Sequence, residues 1–390
     1  MSSTAPFAPA YAPVRVLMLI VTEECNLRCD YCFVDKKPRH MTAGTMRKAI
    51  DFFIDRQVSG ALQDIHLSFF GGEPLLRLDL IEEAVAYARK PRRNVYKKVR
   101  FSVTTNGTVA SPRVERLVRG AAMSVLVSTD GGPAAASYRP FLSGRSSYAL
   151  VARNLPRFTR WTSDVCVRQS FHPGALDLAG NVCHLMALGA PWIVLAPIED
   201  APWEEHRTRL DAAYGELADL FVAQARAGRL LPLELTTRFL REHHAARRGA
   251  GRPARPCWAG ASLIGVDVDG HVLPCHRFLY QPQHRLGRVE EPRMDDARWR
   301  WVHLSADDVL GCEGCEARTV CGGGCRSVAV ASGHGPYGRH PGYCLTMRAH
   351  FRAVRRIYET LTAEGNETLA RMLASGGRSS GMTLGELATR

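Results

Sequence analysis

Three cysteines near the N-terminus have a spacing that can hold an iron–sulfur cluster. Cys25, Cys29 and Cys32 form a C-x3-C-x2-C loop directly after the apolar segment 16–21. Three thiolates on one loop can hold three irons of a four-iron cubane and leave the fourth iron open to a substrate or cofactor. The alternatives are a structural zinc site short of a fourth ligand, or three unrelated thiols. Neither explains why the loop follows a strand.

Seven further cysteines lie in the C-terminal third of the chain. A C-x2-C-x5-C-x3-C run forms their centre, with two cysteines before it and one after it. They are Cys257, Cys275, Cys312, Cys315, Cys321, Cys325 and Cys344. Tight grouping in a chain without an export signal favours metal or cluster ligation over disulfides. A pair of zinc sites is an alternative, because C-x2-C also suits zinc. The remaining two, Cys166 and Cys183, are predicted to be buried small hydrophobic residues.

The segments that must position these thiols alternate between strand-like and helix-like patterns. Six short apolar segments are each followed by a segment with helical spacing; they are 16–21, 65–70, 99–104, 124–128, 165–171 and 192–197. Such alternation predicts an α/β fold with a parallel sheet, which binds ligands at the C-terminal ends of its strands. Six units are too few for an eight-fold barrel. We therefore expect a partial (β/α)6 TIM-type barrel that stays open.

Polar and glycine-rich residues stand at those strand ends and complete a set of motifs. The segment 71–74 reads Gly-Gly-Glu-Pro, and 128–131 reads Ser-Thr-Asp-Gly. With the cysteine loop, this set resembles the radical SAM superfamily. The resemblance implies a 4Fe-4S cluster on Cys25, Cys29 and Cys32, with S-adenosyl-L-methionine (SAM) chelated by its open iron. Electron transfer would cleave SAM to a 5′-deoxyadenosyl radical that abstracts hydrogen from a substrate.

The resemblance also implies cofactor-binding residues outside the cysteine loop. They are Tyr31, Gly71, Gly72, Glu73, Asn106, Ser128, Asp130 and Arg168. Tyr31 would lie near the adenine, and the two glycines would let the backbone approach closely. Glu73 would accept a hydrogen bond from the SAM amine. Arg168 is a candidate partner of the SAM carboxylate, with a salt bridge at the edge of the core as an equal alternative.

The C-terminal cysteines resemble the SPASM extension of radical SAM enzymes. This resemblance implies two auxiliary 4Fe-4S clusters, and hence three clusters in all. One would use Cys257, Cys275 and Cys325, and the other Cys312, Cys315, Cys321 and Cys344. Members with a fully ligated first auxiliary cluster carry a cysteine shortly before Cys257, and the segment 251–256 has none. His243, His244, a substrate thiolate or water would then complete it.

The predicted domain organisation follows from these assignments. Residues 1–14 form a disordered tail, 15–235 the radical SAM partial barrel, and 236–256 a basic linker rich in Gly and Pro. Residues 257–350 form the iron–sulfur SPASM domain. Residues 351–390 form a C-terminal helix and tail, with the helix itself expected from 350 to 373.

Charge and hydropathy limit the classes of partner that this protein is expected to bind. The net charge of +13 attracts polyanions. The arginines are nevertheless dispersed, and no added RNA-binding domain is recognisable, so a nucleic-acid partner is not expected. No apolar run has membrane-spanning length, and the N-terminus lacks the cationic region of a signal peptide. We predict a cytoplasmic protein without membrane contact.

Enzymes of this architecture usually modify peptides. The segment 274–278, followed by Leu-Gly at 286–287, resembles maturases of ribosomally synthesised peptides (RiPPs), so we predict oxidative cross-linking of side chains in a precursor peptide. His276 is a candidate catalytic base near neutral pH, with a hydrogen-bonded residue beside the cluster as the alternative. Expected partners are the precursor peptide, a separate leader-binding protein, and a reductant such as flavodoxin or ferredoxin.

Three other functions are open. Anaerobic sulfatase maturation is disfavoured, because those enzymes carry Asp at the position of His276 and commonly Tyr at that of Val34. A dehydrogenase or epimerase acting on a small molecule such as an aminocyclitol is disfavoured by the full seven-cysteine set, because such relatives tend to have a shortened extension. A zinc-dependent binding module without catalysis predicts zinc in place of iron, and no SAM cleavage.

Overall fold

The computed structural model describes residues 13–54, 56–59, 62, 64–92, 97–250, 257–291 and 294–375. Most of the predicted tail, residues 1–12, lies outside these ranges, as does 376–390. Val14 is an exception to the predicted tail: it is fully buried, and its amide donates to the carbonyl of Val58 at 3.0 Å. Val14 therefore packs with the barrel, one residue before the predicted boundary.

The described residues form a nine-stranded sheet with the order β6-β5-β4-β3-β2-β1-β7-β8-β9. The strands are β1 (Val16–Thr22), β2 (Asp64–Gly71), β3 (Lys98–Thr105), β4 (Ser124–Thr129), β5 (Val165–Phe171), β6 (Ile193–Pro197), β7 (Leu263–Val266), β8 (His271–Leu273) and β9 (Gly287–Arg288). Strands β1 to β6 pair in parallel, in sequence order. All seven residues of β1 are buried, as expected where both faces of a parallel sheet are covered. The predicted α/β partial barrel is confirmed.

The sheet continues into the cysteine-rich region, which the sequence analysis did not anticipate. Strand β7 pairs in parallel with β1 on its outer side, and β8 and β9 add antiparallel pairs. These strands contain four, three and two residues, too few to produce a readable hydrophobic period. Because β7 is hydrogen-bonded to β1, the sheet continues across the predicted domain boundary at residue 257.

Helices follow the strands and cover them. They are α1 (Ala43–Ile54), α2 (Arg56–Ser59), α3 (Leu78–Ala88), α4 (Pro112–Ala121), α5 (Tyr148–Trp161), α6 (Leu178–Ala187), α7 (Arg207–Arg226), α8 (Glu234–Arg247), α9 (Asp295–His303), α10 (Arg318–Cys321), α11 (Arg326–Ala331), α12 (Pro341–Ala363) and α13 (Glu367–Ala374). The Thr42 hydroxyl accepts a hydrogen bond from the Thr45 amide at the start of α1.

Two predictions for the C-terminal half are wrong. The linker 236–256 is helical in its first half, because α8 buries Thr236, Phe239 and Leu240. Its segment 251–256 lies outside the described residues. The helix expected at 350–373 is two helices, since α12 begins at Pro341 with His340 as its cap. Gly365, with a φ of 63°, then separates α12 from α13. Cys344 therefore sits in the first turn of α12.

None of the helices among the described residues is long and apolar enough to span a membrane.

Candidate functional site

A cavity of about 460 Å³ lies at the C-terminal ends of the parallel strands. Nine of the predicted cluster and cofactor residues line it, together with His276: Cys25, Cys29, Tyr31, Cys32, Gly71, Gly72, Asn106, Ser128 and Arg168. Two predicted residues, Glu73 and Asp130, are buried behind the lining. The topology thus brings together residues from five strand ends and from the C-terminal region.

The Cys25 loop is held by hydrogen bonds to its neighbours. The Leu27 amide donates to Cys25 Sγ at 3.4 Å, and the Asn106 side-chain amide lies 3.7 Å from the same sulfur. Burial raises the pKa of the Cys25 thiol to about 11 and also raises that of Cys29. A bound metal cluster offsets this cost, because metal ligation stabilises thiolates. The three thiols facing one cavity therefore fit the implied cluster.

Gly71 and Gly72 allow two parts of the chain to approach closely. A Cβ on Gly71, whose φ is +147°, would lie 2.1 Å from the Thr22 carbonyl oxygen. A Cβ on Gly72 would lie 2.2 Å from the Glu24 carbonyl oxygen. The close approach predicted for these glycines is real, and the backbone that they meet is the one leading into Cys25. They fix the cysteine loop against the end of β2.

Alanine at Gly72 is expected to displace this loop. The clash is with backbone that cannot rotate away, so we expect a loss of about 1–3 kcal/mol in the free energy of unfolding. Chemical denaturation followed by circular dichroism measures it. Gly120 on α4 is the matched control, because no atom lies within 4 Å of a Cβ there. Gly120→Ala should be neutral or stabilising. Equal stability of the Gly72→Ala variant and the wild type would contradict the assigned role.

Glu73 joins strand ends beneath the cavity. Its carboxylate accepts hydrogen bonds from the Leu75 amide at 3.0 Å, the Thr105 hydroxyl at 2.8 Å and the Asn106 amide at 2.7 Å. Burial outweighs these three donors and raises the pKa of Glu73 to about 7. The predicted contact with the SAM amine does not fit a fully buried side chain whose two oxygens both have partners. Glu73 instead orients the strand end that carries Asn106.

Tyr31 belongs to a buried network that the sequence analysis missed in part. Its hydroxyl donates to the Asp130 carboxylate and accepts from Arg139 at 2.9 Å. Arg139 also forms an ion pair with Asp130 at 3.7 Å. Burial raises the pKa of Asp130 to about 6. Arg139 lies in a loop with no motif, so no spacing in the sequence marked it. The network ties the cysteine loop to the end of β4.

The polar wall of the cavity contains Thr104, Ser128 and Arg168. Arg168 donates to the Ser170 hydroxyl at 3.0 Å and faces the cavity. The buried Thr104 hydroxyl has no hydrogen-bond partner within the described part of the chain. A buried polar atom beside a cavity usually acquires a partner from a ligand or water. This wall therefore fits a polar cofactor such as SAM.

His276 lines the cavity on the side of the C-terminal region. Its Nδ1 atom lies 3.1 Å from the Met18 sulfur, and its ring centroid is 4.2 Å from that of Phe70. Burial lowers the pKa of His276 to about 3, and the charges of Arg277 and Arg168 contribute. The ring is therefore neutral across the physiological range. These surroundings favour the alternative role, a neutral residue beside the cluster site, over a base that titrates near neutral pH.

The C-terminal thiols occupy two places, in the grouping expected from the resemblance. Burial and the nearby Cys325 raise the pKa of Cys257 to about 11. Burial, with the nearby Cys257 and Cys325, likewise raises the pKa of Cys275. We call these three residues the inner thiol set. Burial and proximity to the three other members raise the pKa of Cys321 to about 12. Those members are Cys312, Cys315 and Cys344, and the four together are the outer thiol set.

The spacing of the sulfurs bears on the choice of metal. In neither set, nor in the Cys25 loop, do three sulfurs all lie within 4.8 Å of one another. A single tetrahedral zinc with Zn–S bonds of about 2.3 Å needs closer sulfurs than this. The sulfurs as placed are therefore too far apart to share one zinc ion. Of the two other cysteines, Cys166 is buried as predicted, whereas Cys183 is exposed on α6.

The two histidines predicted as candidates to complete the inner thiol set both contact Tyr358. The ring of His243 packs edge-on against Tyr358, and His244 Nδ1 lies 2.9 Å from the hydroxyl of the same tyrosine. Both histidines are thus engaged between α8 and α12. Tyr343 is a further residue near the thiols that the sequence did not mark. Burial, together with the nearby Cys321, Cys325 and Cys257, raises the pKa of its hydroxyl well above the usual value. Tyr343 therefore lies beside both thiol sets.

Comparisons with known proteins agree with this geometry. The Radical SAM superfamily matches residues 19–167. The serine-type anaerobic sulfatase-maturating enzyme of Klebsiella aerogenes is 27% identical over 339 residues, covering 83% of this chain and 82% of that protein. The PqqA peptide cyclase of Xanthomonas campestris is 26% identical over 340 residues, covering 82% of this chain and 84% of that protein.

A solved structure, anSMEcpe with bound AdoMet, has the same fold. The TM-score is 0.74 at 18% sequence identity, over 93% of this chain and 98% of that one. The same protein is also solved with AdoMet and a peptide called Cp18Cys. Residues 19–167 thus form a radical SAM domain, a type of domain that implies an enzyme using SAM and a 4Fe-4S cluster.

Proposed function

We propose that this enzyme uses SAM and three 4Fe-4S clusters to oxidise and cross-link side chains of a ribosomally synthesised precursor peptide. The observation that carries the proposal is the position of the cavity. The Cys25 loop forms part of its lining. His276 and Arg277, which follow Cys275 of the inner thiol set, form another part. A side chain in the cavity would lie between two cluster sites, as a two-stage oxidation requires.

The thiols form three groups, and each group would hold one cluster. Cys25, Cys29 and Cys32 would hold the SAM-binding cluster, while the inner and outer thiol sets would hold the auxiliary clusters. When bound, these cofactors supply a 5′-deoxyadenosyl radical for hydrogen abstraction and an acceptor for the electron left on the substrate.

The chain's own residues shield and orient the reactants. Phe70, Leu126, Val194 and Ile198 give the cavity an apolar lining that limits its contact with water. Arg168, the strand neighbour of Val194, can pair with a carboxylate, and Thr104, the strand neighbour of Leu126, has a hydroxyl to donate. This mixed lining suits a cofactor held by its polar atoms together with an apolar or aromatic substrate side chain.

Arg277 links the cavity to the inner thiol set. Its guanidinium lies 4.9 Å from the centroid of the Phe33 ring and 3.4 Å from the Glu199 carboxylate. Burial lowers the pKa of Arg277, but the nearby Glu199, Cys325 and Cys275 outweigh this effect and raise it, so the cation persists at all working pH values. We infer that this half-buried cation stabilises negative charge on the inner thiol set while Phe33 holds it against the cysteine loop.

The similar proteins support a peptide substrate. One is named for maturing a sulfatase and another for cyclising the PqqA peptide, and they match this chain over most of its length. Sulfatase-type oxidation of a Ser or Cys is the second candidate function, favoured by the identity with the Klebsiella enzyme. His276, where those enzymes carry Asp, argues against it. The neutral imidazole packed against Met18 and Phe70 does not replace a carboxylate.

The proposed partners follow from the chemistry. The precursor peptide is the substrate, and a separate leader-binding protein presents it. Flavodoxin or ferredoxin supplies the electron in a cytoplasmic setting.

The test uses anaerobically reconstituted protein, SAM, dithionite and the precursor peptide encoded beside its gene. We expect 5′-deoxyadenosine together with loss of paired hydrogens from the peptide, both read by mass spectrometry. A parallel reaction uses a sulfatase peptide that carries the target Ser or Cys. Oxidation of that peptide alone would replace our proposal with the second candidate. Formation of 5′-deoxyadenosine with both peptides unchanged would point to a small molecule.

Replacing Cys275 by alanine should separate the two stages of the reaction. We expect SAM cleavage to remain within about threefold of wild type, whereas cross-linked peptide falls at least ~tenfold because the inner site can no longer accept the electron. Iron content should fall by about four atoms per chain, the content of one cluster. Cys166→Ala is the control that keeps all three thiol groups. Unchanged peptide product in the Cys275→Ala variant would contradict a role for the inner set.

A further inference from the structure

A second pocket, of about 320 Å³, opens to solvent beside the outer thiol set. Its lining consists of Glu204, Arg207, Arg339, Pro341, Cys344, Leu345 and Arg348. We call it the Cys344 pocket. One of the four outer thiols is part of its wall. An external protein at this opening would therefore come close to a cluster held by the outer thiol set.

The charge around the Cys344 pocket is positive. Three arginines and one glutamate line it, and Arg207 and Arg339 are both exposed. The guanidinium of Arg339 lies over Gly311, where a Cβ would come within 2.9 Å of Nε. This places the cation next to Cys312 of the outer set. Arg348 forms an ion pair with Glu316 at 3.4 Å. Arg207 and Arg339 are therefore the cations best placed to meet an external anion.

Two exposed apolar side chains adjoin these cations. Leu310 is 68% exposed and Tyr337 is 45% exposed. The Leu310 amide donates to the Tyr337 carbonyl at 2.8 Å, so the two residues are held side by side. Leu310 precedes Cys312 by two residues, and Tyr337 precedes Arg339 by two. Large apolar side chains bordered by charges are typical of protein contact surfaces.

We propose that the Cys344 pocket, with Leu310 and Tyr337, is the docking surface for an acidic one-electron carrier protein. The proposal rests on the proposed function, because it requires a cluster at the outer thiol set. The outer cluster loses the electron taken from the substrate, and the oxidised carrier gains it, with no other change in either partner. A small apolar centre with cations around it suits a transient complex that buries less than about 1,200 Å². The overall charge of +13 would steer an acidic partner toward the enzyme.

The test measures binding of an acidic flavodoxin to the reconstituted holoenzyme by biolayer interferometry, without peptide. Changing both Arg207 and Arg339 to Glu should weaken binding at least ~tenfold at low salt, since charge reversal changes electrostatic association by such factors. Raising the salt concentration should weaken flavodoxin binding by the wild type and reduce the difference in affinity between the wild type and the doubly reversed variant. Arg116→Glu on α4 is the control, with the same kind of charge change at an exposed arginine of the barrel.

The outcomes separate the docking surface from the other proposals. SAM cleavage driven by dithionite and the iron content should both be equal in the wild type and the doubly reversed variant, which shows that the variant is folded and loaded. Equal flavodoxin binding by those two proteins would overturn the proposal. So would an equal loss in Arg116→Glu, because the effect would then belong to the overall charge. An unmodified precursor peptide, by contrast, would count only against the proposed function.

Discussion

SAM cleavage should disappear when Cys25 is replaced by alanine. Cys25 is the most enclosed of the three loop thiols, held by the Leu27 amide and approached by the Asn106 side chain. Its loss leaves two thiolates, which cannot hold a cubane with one open iron. We expect 5′-deoxyadenosine formation to fall at least ~10³-fold, equivalent to about 4 kcal/mol of transition-state stabilisation. Mass spectrometry of the nucleoside and iron analysis measure this.

Cys183→Ala is the matched control, because Cys183 is exposed on α6 and belongs to none of the three thiol groups. It should keep full activity and iron. Comparison with Cys275→Ala adds a second contrast, since that variant should cleave SAM without finishing the peptide. Residual nucleoside formation within about tenfold of wild type in Cys25→Ala would mean that the loop does not hold the catalytic cluster.

The barrel and its thiols could be predicted because their signals are local. Each of the six barrel strands is an apolar run, and polar or glycine-rich motifs follow several of them. The C-x3-C-x2-C spacing and the seven later cysteines are likewise readable without knowledge of contacts. Strands β7 to β9 were not predictable in this way. The pairing of β7 with β1 joins residues more than two hundred positions apart, as the register of Val16 with Leu263 shows, and β8 and β9 pair in turn beyond β7.

Residue roles were harder to predict than residue positions. The Gly-Gly-Glu motif was located correctly, yet its glycines contact the chain's own backbone and Glu73 bonds to Thr105 and Asn106. Both roles depend on which strand end lies next to which. Tyr343 shows the same limit, because its position beside both thiol sets follows from where α12 begins. Motif spacing indicates which residues converge, and packing decides what each one touches.

Replacement of Arg139 by leucine is expected to lower the free energy of unfolding by about 3–5 kcal/mol, since it leaves a buried carboxylate without its cation. Arg139 and Asp130 are both buried, with side chains 7% and 4% exposed. Tyr31 would also lose the donor that fixes its hydroxyl. Chemical denaturation of the anaerobic protein measures the effect. Arg145→Leu, at an exposed position in the same region, should change stability by less than about 0.5 kcal/mol.

The pH dependence distinguishes loss of the cation from loss of packing. Burial already raises the pKa of Asp130 from 3.8 to about 6, and removal of Arg139 raises it further. A carboxyl whose folded pKa exceeds its unfolded value stabilises the fold when protonated, and that contribution is lost as pH rises through the folded pKa. The Arg139→Leu deficit should therefore be small near pH 4, grow as the pH rises above 6, and be largest above the variant's own folded pKa. Adding Asp130→Asn should recover part of the stability at pH 8, because the uncompensated charge is gone. An equal deficit at pH 4 and pH 8 would show that Arg139 acts through packing alone.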